Sequence, residues 1–419
     1  MRDATSTAAR GAPRTGWLNR TVLGIGLASL FSDWSHEIAT TVLPLFLGTI
    51  GASAAWLGAI EGISDGVASF AKMASGYWAD RLRKRKGIAI AGYVMTAAGT
   101  ASIGLAMTAS QVLAARAFAW LGRGIRTPVR KALLASAVTP QTYGRAFGFE
   151  RMMDTLGAIL GPATAWLLLD RWHPGYANLF ALTLVPGLIA VVAMALIVRE
   201  RARPRVERVS FRNSVKALPR QFRRFAAAVG LFGLGDFAHT LLILLAMQSL
   251  TPRFGAAQAT AVAAGLYVLH NVLYAGCSMG AGWLADRFDK GRLLSLGYLL
   301  AAIATLLIVV LPLDVWALAV VFALAGVSVA IVETLEDSFC AELVVESSHG
   351  MAFATVATIN GVGDFVSSTA LGLLWTAFGH ALAFAFSAAL LLAGAATMWF
   401  VAGLRDPDAV ATRLHDARR

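Results

Sequence analysis

The sequence predicts an all-α membrane protein of about twelve transmembrane helices, arranged as two pseudo-symmetric six-helix halves. Composition is the first reason. The chain is 57% hydrophobic and 14% charged with a positive mean hydropathy, whereas soluble domains carry roughly a quarter charged residues. Length is the second, because a bilayer core of ~30 Å needs ~20 helical residues per span, and 419 residues hold about twelve such spans with short loops. The third is a duplicated block. Gly76-Tyr77-Trp78-Ala79-Asp80-Arg81 and Gly282-Trp283-Leu284-Ala285-Asp286-Arg287 lie about 206 residues apart, each closing one apolar segment and preceding another. Such a repeat marks two copies of one membrane unit.

Taken in order, the apolar segments place spans near 21–48, 55–79, 87–107, 111–131, 146–168 and 177–197 in the first half. The second half follows with 225–249, 259–285, 291–312, 315–338, 351–378 and 380–403. The resulting organisation is a tail over 1–20, a half over 21–198, a basic linker over 199–224, a half over 225–403 and a tail over 404–419. The linker is the clearest boundary, since ten Lys/Arg and two Glu interrupt the hydropathy between Arg199 and Arg224.

The net charge of +12 would suggest nucleic acid in a soluble protein, but its distribution points elsewhere. Cations cluster in alternate loops: Arg2, Arg10, Arg14 and Arg20, the run Arg81 to Lys86, the linker, Arg287 to Arg292, and Arg413, Arg418 and Arg419. The other loops hold only Arg171 and Arg253. This is the positive-inside pattern, so both termini and the linker are expected in the cytoplasm of a plasma (inner) membrane protein, with lipid headgroups rather than nucleic acid as counter-charges. Cys277 and Cys340 fall inside predicted spans and imply no disulfide framework. The first apolar run is too long for a signal peptide and carries Asp33 and Glu37, so it is expected to stay as a span.

Aligning the halves extends the repeat. Asp33-Trp34-Ser35-His36 matches Asp236-Phe237-Ala238-His239, and Tyr143-Gly144-Arg145-Ala146-Phe147-Gly148 matches His349-Gly350-Met351-Ala352-Phe353-Ala354. Asp154 falls opposite Asn360, and Arg130-Lys131 opposite Glu336-Asp337, so the sign of charge is inverted between halves.

On the paired loop block, and on Gly157-Ala158-Ile159-Leu160-Gly161-Pro162 in the fifth span, the chain resembles the major facilitator superfamily along nearly its whole length. The resemblance implies a twelve-helix transporter. The second motif is similar to that family's Gly-x-x-x-Gly-Pro antiporter motif and implies efflux, and Arg116 sits where the family often has a buried arginine implicated in proton coupling. The sequence departs from the family pattern at Arg83, where the loop motif usually has glycine, and at Gly122-Arg123-Gly124, which is displaced from the usual spacing.

The motifs also have direct physical readings. Gly76 and Gly282 allow a neighbouring helix close approach, while Asp80 and Asp286 can face another helix's N-terminus or pair with a cation. Asp80 with Arg81, and Asp286 with Arg287, are expected to hold the halves together when the cytoplasmic side is closed. The plainer reading is a solvated turn, which the duplication disfavours. Gly157 and Gly161 permit tight helix contact, which generic packing would also explain, and Pro162 can kink its span as a gate.

Charged groups at membrane depth cost about 2.5–3.5 kcal/mol each at a helix centre, so those present are expected to face the interior and act. Asp33, His36 and Glu37 share one face of the first span and are the leading proton or cation site. Asp236 and His239 repeat half of it; structural helix-to-helix hydrogen bonding would account for a lone His239. Arg116, Arg123 and Arg130 align at seven-residue spacing with Arg126 to one side, forming a positive wall. Glu61 and Asp65 in the second span, Asp154 in the fifth, Glu333 in the tenth, and Asn360 and Asp364 in the eleventh complete the candidate substrate or proton set. Arg130, Lys131, Glu336 and Asp337 are candidates for gate pairs at the rim.

The expected function is secondary active transport by alternating access: proton-coupled export of a polar or charged small molecule, with the proton gradient as energy source and no cofactor. No Walker-type phosphate loop is present in the sequence, and the chain is not expected to be an enzyme. The expected partners are the solute and the bilayer, with the monomer as working unit. Three other readings stay open: a divalent-metal exporter using Asp33, His36 and Glu37, a proton-coupled uptake symporter, and a membrane solute sensor that moves nothing.

Overall fold

The computed structural model describes residues 16–52, 54–171, 175–200, 213–214 and 218–404, and these are overwhelmingly helical. Of the basic segments, Arg2, Arg10 and Arg14, the linker from Arg201 to Arg212, and Arg413, Arg418 and Arg419 lie outside the described residues.

The first half contains α1 (Arg20–Thr49), α2 (Ala54–Ala79), α3 (Lys86–Ser102), α4 (Ala109–Ser136) and α5 (Tyr143–Arg171). Its sixth span is built from α6 (Tyr176–Leu182) and α7 (Leu184–Val192), which runs into a π turn at Ala193–Ile197. The second half opens with a span in two pieces, α8 (Arg220–Gly233) and α9 (His239–Phe254), followed by α10 (Ala256–Ala285), α11 (Lys290–Val310), α12 (Val315–Leu343), α13 (His349–Phe378) and α14 (His380–Gly403). The sequence reading of 225–249 as one continuous span is corrected here: residues 234–238 are not helical. The break is held by serines from two other helices. Ser367 donates to Asp236 O and Ser387 to Gly235 O, while Ala238 N donates to Ser368 Oγ at 2.9 Å. Irregular backbone at membrane depth requires such partners, because lipid offers none.

Helix ends are set locally. Asn19, Thr108, Asp289 and Asp314 accept backbone N–H groups of the first turns of α1, α4, α11 and α12. Gly255 and Gly379, at φ 77° and 87°, reverse the chain in a single residue between α9 and α10 and between α13 and α14, a conformation that a Cβ would strain.

Among the described residues, seven helical segments are long and apolar enough to cross a membrane: α3, α5, the α6–α7 span, α10, α11, α12 and α14. The others include α4, whose apolarity is interrupted by Arg116, Arg123, Arg126, Arg130 and Lys131. Arg116 and Arg126 are each only 2% exposed, so those charges point into protein. Large apolar side chains such as Leu196, Val310, Leu373 and Phe400 instead stay uncovered, which suits a hydrocarbon surround.

Among the described residues, the side-chain contacts between the halves gather toward one end. One apolar core joins Val22, Leu133 and Phe147 to Phe225, Phe339 and Phe353. Three further cores stay within single halves, around Ile38, Phe46 and Phe180 and around Ala68, Ala119 and Trp120 in the first and around Leu242, Phe322 and Phe384 in the second. Among the described residues, the hydrogen bonds, ion pairs and ring contacts between halves all fall toward the end that carries both loop motifs. The molecule is closed at that basic end.

Candidate functional site

At the closed end each loop aspartate caps a helix of the opposite half. Asp80 Oδ1 and Oδ2 accept the backbone N–H groups of Gly350 and Met351 at 2.8 and 2.7 Å, in the first turn of α13. Asp286 does the same to α5, accepting from Gly144 N at 2.7 Å and Arg145 N at 3.1 Å, with Arg145 Nε at 2.6 Å. The glycines make this possible. A Cβ on Gly76 would strike Gly350 O, and one on Gly144 would strike Gly282 O, so the helices cross with backbone against backbone.

Arg81 and Arg287 do not join the halves, contrary to expectation. Each folds back on an aromatic ring of its own helix, Arg81 over Tyr77 at 3.3 Å and Arg287 over Trp283 at 3.5 Å. The cations beside the aspartates are Arg85, 4.0 Å from Asp80, and Arg145. A residue adjacent to the aspartate on the same helix end points away from it, so proximity in sequence is a poor guide to the partner.

Above the cap lies a network of charges. Arg130 contacts Glu150 at 2.8 Å, Ser29 Oγ at 2.6 Å and Asp154 at 3.5 Å, all within the first half. Arg151 contacts Asp154 at 3.3 Å and then crosses to Glu333 at 2.9 Å and Asp337 at 3.5 Å. Lys131 also crosses, to Asp337 at 2.6 Å. Arg130 and Glu336 are not a gate pair: Glu336 stays in the second half, where Tyr298 donates to it at 2.5 Å and Asn360 at 2.8 Å.

The remaining first-half candidates form a ladder toward the open end. Asp33 faces Arg126 at 3.9 Å and Arg123 at 4.0 Å. Arg126 packs over the Tyr93 ring at 4.3 Å, leaving Nε and Nη1 without hydrogen-bond partners. Trp120 donates to Asp65 at 2.8 Å and is covered by Arg116 at 4.0 Å, which holds Glu61 through contacts of 2.7 Å. His36 packs against Trp120 with ring centroids 4.5 Å apart. Its Nε2 lies 3.8 Å from Glu37.

Asp33, His36 and Glu37 therefore share a helix face but have different partners, and among the described residues no three His, Cys, Asp or Glu side chains converge so as to hold a metal ion. Gly157 and Gly161 explain how α1 is placed: Cβ atoms there would strike Leu30 O and Glu37. These glycines pack α5 on α1 inside one half. Pro162 lies within an uninterrupted α5.

In the second half the helix break opens on a cavity of about 270 Å³ whose walls include Asp236, His239, Glu333, Glu336, Asn360 and Asp364. His239 packs on His270 with centroids 4.5 Å apart. Tyr274 donates to Glu333. The sequence reading missed Arg151, Arg145, Tyr274 and Tyr298. Arg151 was findable, as a charge at membrane depth three residues before Asp154; the tyrosines carry no comparable signal.

A twelve-span bundle in two halves, joined by caps at one end and holding buried charge along the divide, defines a membrane transporter fold. The sequence matches the Major Facilitator Superfamily over residues 25–269 and 225–417, and the chain belongs to that family. It is similar to an MFS-type transporter of Methanocaldococcus jannaschii, 26% identical over 358 residues that cover 85% of this chain and 89% of the relative. A shorter match, 30% identical over 117 residues, covers 27% of this chain and 29% of the multidrug resistance protein MdtH of Escherichia coli. Among solved structures, the human organic anion transporter MFSD10 superposes with a TM-score of 0.72 at 13% identity, over 90% of this chain and 99% of that one. The E. coli fucose:proton symporter FucP gives 0.70 at 16% identity, over 91% and 99%. These two likenesses concern the fold. The chain is thus a multi-pass membrane transporter.

Proposed function

We propose that this transporter is a proton-coupled exporter of a polar or charged small molecule, working as a monomer in the plasma membrane with its basic end in the cytoplasm. The orientation follows from the alternating distribution of cations. The closed basic end then corresponds to the outward-facing state, from which protons enter.

One observation carries the coupling: Arg151 contacts Asp154 in its own half and Glu333 and Asp337 in the other. Asp154 pairs with Arg130 and Arg151, and Asp33 faces Arg123 and Arg126; a proton taken up by these carboxylates from the open end weakens those pairs. The bridge at the closed end is redistributed, and the balance between the two access states moves. Proton release on the cytoplasmic side restores the charged pairs and the outward-facing arrangement.

Export is favoured over uptake by the Gly157-x-x-x-Gly161-Pro162 motif and by the partial match to a multidrug resistance protein. The test is solute counterflow and pH-gradient-driven flux in proteoliposomes. Acid on the outward face is expected to accelerate efflux, with the acceleration lost in Asp33→Asn and Asp154→Asn. Accumulation driven in the same direction as the proton would make the chain a symporter, and flux indifferent to the gradient in the wild type would end the coupling reading.

A further inference from the structure

The two halves treat their carboxylates at membrane depth differently. In the first, Glu61, Asp33, Glu150 and Asp154 each face an arginine of the same half. Among the described residues, the second half supplies no arginine or lysine to Asp236, Glu333, Glu336 or Asp364. Arg151 reaches over to Glu333, Lys72 of the first half lies toward Asp364, and Glu336 is held by the neutral groups of Tyr298 and Asn360. The backbone of Asp236 is engaged on both sides, its N–H by Phe232 O at 3.0 Å and its carbonyl by Ser367. Its carboxylate lines the cavity with no hydrogen-bond or ion-pair partner among the described residues.

A second observation concerns the same space. Ser328 on α12 is 3% exposed, lines the cavity and makes no hydrogen bond among the described residues. Its hydroxyl opens on the cavity, where it can donate to or accept from a ligand. The rest of the wall mixes the polar groups His239, Glu333, Glu336, Asn360 and Asp364 with apolar and aromatic side chains. Phe232, Phe237 and Val329 line the main cavity, and an annex of about 40 Å³ that shares Asp236, Phe237, His239 and Ser328 leads between Leu242, Ile308 and Val321.

We propose that this helix-break cavity binds an organic ammonium ion carrying an apolar group, with the Asp236 carboxylate as counter-ion and Ser328 Oγ as a hydrogen-bond acceptor. The break itself contributes, because the last carbonyls of α8 end at the cavity wall at Gly233, and a helix C-terminus carries partial negative charge. The rings of Phe232 and Phe237 on the cavity wall suit the carbon skeleton behind the cation. A bare metal ion fits less well, since no three ligating side chains converge here among the described residues. The assignment rests on the chain's being a transporter and names the class of its cargo.

The test is thermal unfolding of the purified full-length protein in detergent, titrated with phenethylamine, tyramine, 2-phenylethanol, phenylacetate and sodium chloride. A saturable rise in Tm is expected with the two amines and not with the neutral or anionic isosteres, because a ligand that binds the folded state raises its stability by mass action. Asp236→Asn is expected to weaken amine binding at least tenfold, and Ser328→Ala several-fold. Equal stabilisation by 2-phenylethanol, stabilisation by neither amine, or wild-type affinity in Asp236→Asn would overturn the assignment. So would saturable stabilisation by sodium that competes with the amines, which would make this an inorganic cation site. Should Asp236→Asn fail to fold, the comparison of isosteres on the wild type still decides, with Asp364→Asn as the second carboxylate. Amine binding without flux would remove the transport reading alone, whereas flux of other solutes with no amine binding would remove this one.

Discussion

Asp80 Oδ1 accepts the backbone N–H of Gly350 at 2.8 Å, so a side chain from the first half closes the first turn of a helix in the second. Asp286 repays it with Gly144 at 2.7 Å. The exchange leaves the open N–H groups of two helices satisfied only while the halves are docked, and the helix dipoles favour the negative charge. We propose that the caps act as a conformational switch as well as a structural contact.

Asp80→Asn keeps one acceptor and loses the charge. Because a capping group contributes about 0.5–2 kcal/mol, transport is expected to fall several-fold while ligand affinity stays within about twofold of wild type. Asp286→Asn should be the more damaging of the two, since Arg145 Nε at 2.6 Å loses its anion as well. Proteoliposome flux set beside ligand-induced thermal stabilisation checks both; a parallel loss of flux and binding would contradict the switch.

Gly144→Ala puts a methyl group against Gly282 O and should keep the basic end from closing. Tyr143 and His349 have ring centroids 6.4 Å apart across that interface. Cysteines introduced as Tyr143→Cys and His349→Cys are expected to crosslink readily in the otherwise wild-type chain and poorly when Gly144→Ala is added. Undiminished crosslinking would mean the glycine contact is not needed for closure.

Arg151→Ala leaves Glu333 with Tyr274 and Asp337 with Lys131, but removes the link from both to Asp154. Removing one partner of a buried ion pair destabilises by about 3–5 kcal/mol where no other group compensates. Gradient-driven flux is expected to drop at least tenfold. A double-mutant cycle with Glu333→Gln should give a coupling energy of about 0.5–3 kcal/mol in thermal unfolding, and strict additivity would sever Arg151 from Glu333.

Ser367→Ala and Ser387→Ala each expose a carbonyl of the broken span at Asp236 and Gly235. A buried acceptor left unmet costs about 1–3 kcal/mol, so both variants should lower Tm, and the double variant further. A control such as Thr376→Ala, whose hydroxyl bonds only within its own helix to Gly372, should change Tm little. Equal effects in all three would separate the serines from the break.

What the sequence determined by itself is what is written locally along the chain. Hydropathy and length gave the span count, the repeated Gly-x-x-x-Asp-Arg block gave the duplication, and the aspartates at its end were legible as helix-facing groups. Buried charges could likewise be picked out by type and depth, which brought Asp33, Arg126, Asp154 and Asp236 into view.

Which charge meets which was decided only by the docking of distant helices. Asp80 and Gly350 are 270 residues apart, and Lys131 and Asp337 are 206 apart, so no spacing rule relates them. Arg81 lies next to Asp80 yet turns onto Tyr77, and Arg130 and Glu336 hold corresponding positions in the two halves yet bond separately. The same Asp-x-x-His pattern sits in an unbroken α1 at Asp33 and in a helix break at Asp236. The break is possible because Ser367, Ser368 and Ser387, reaching in from α13 and α14, satisfy backbone groups that lipid cannot.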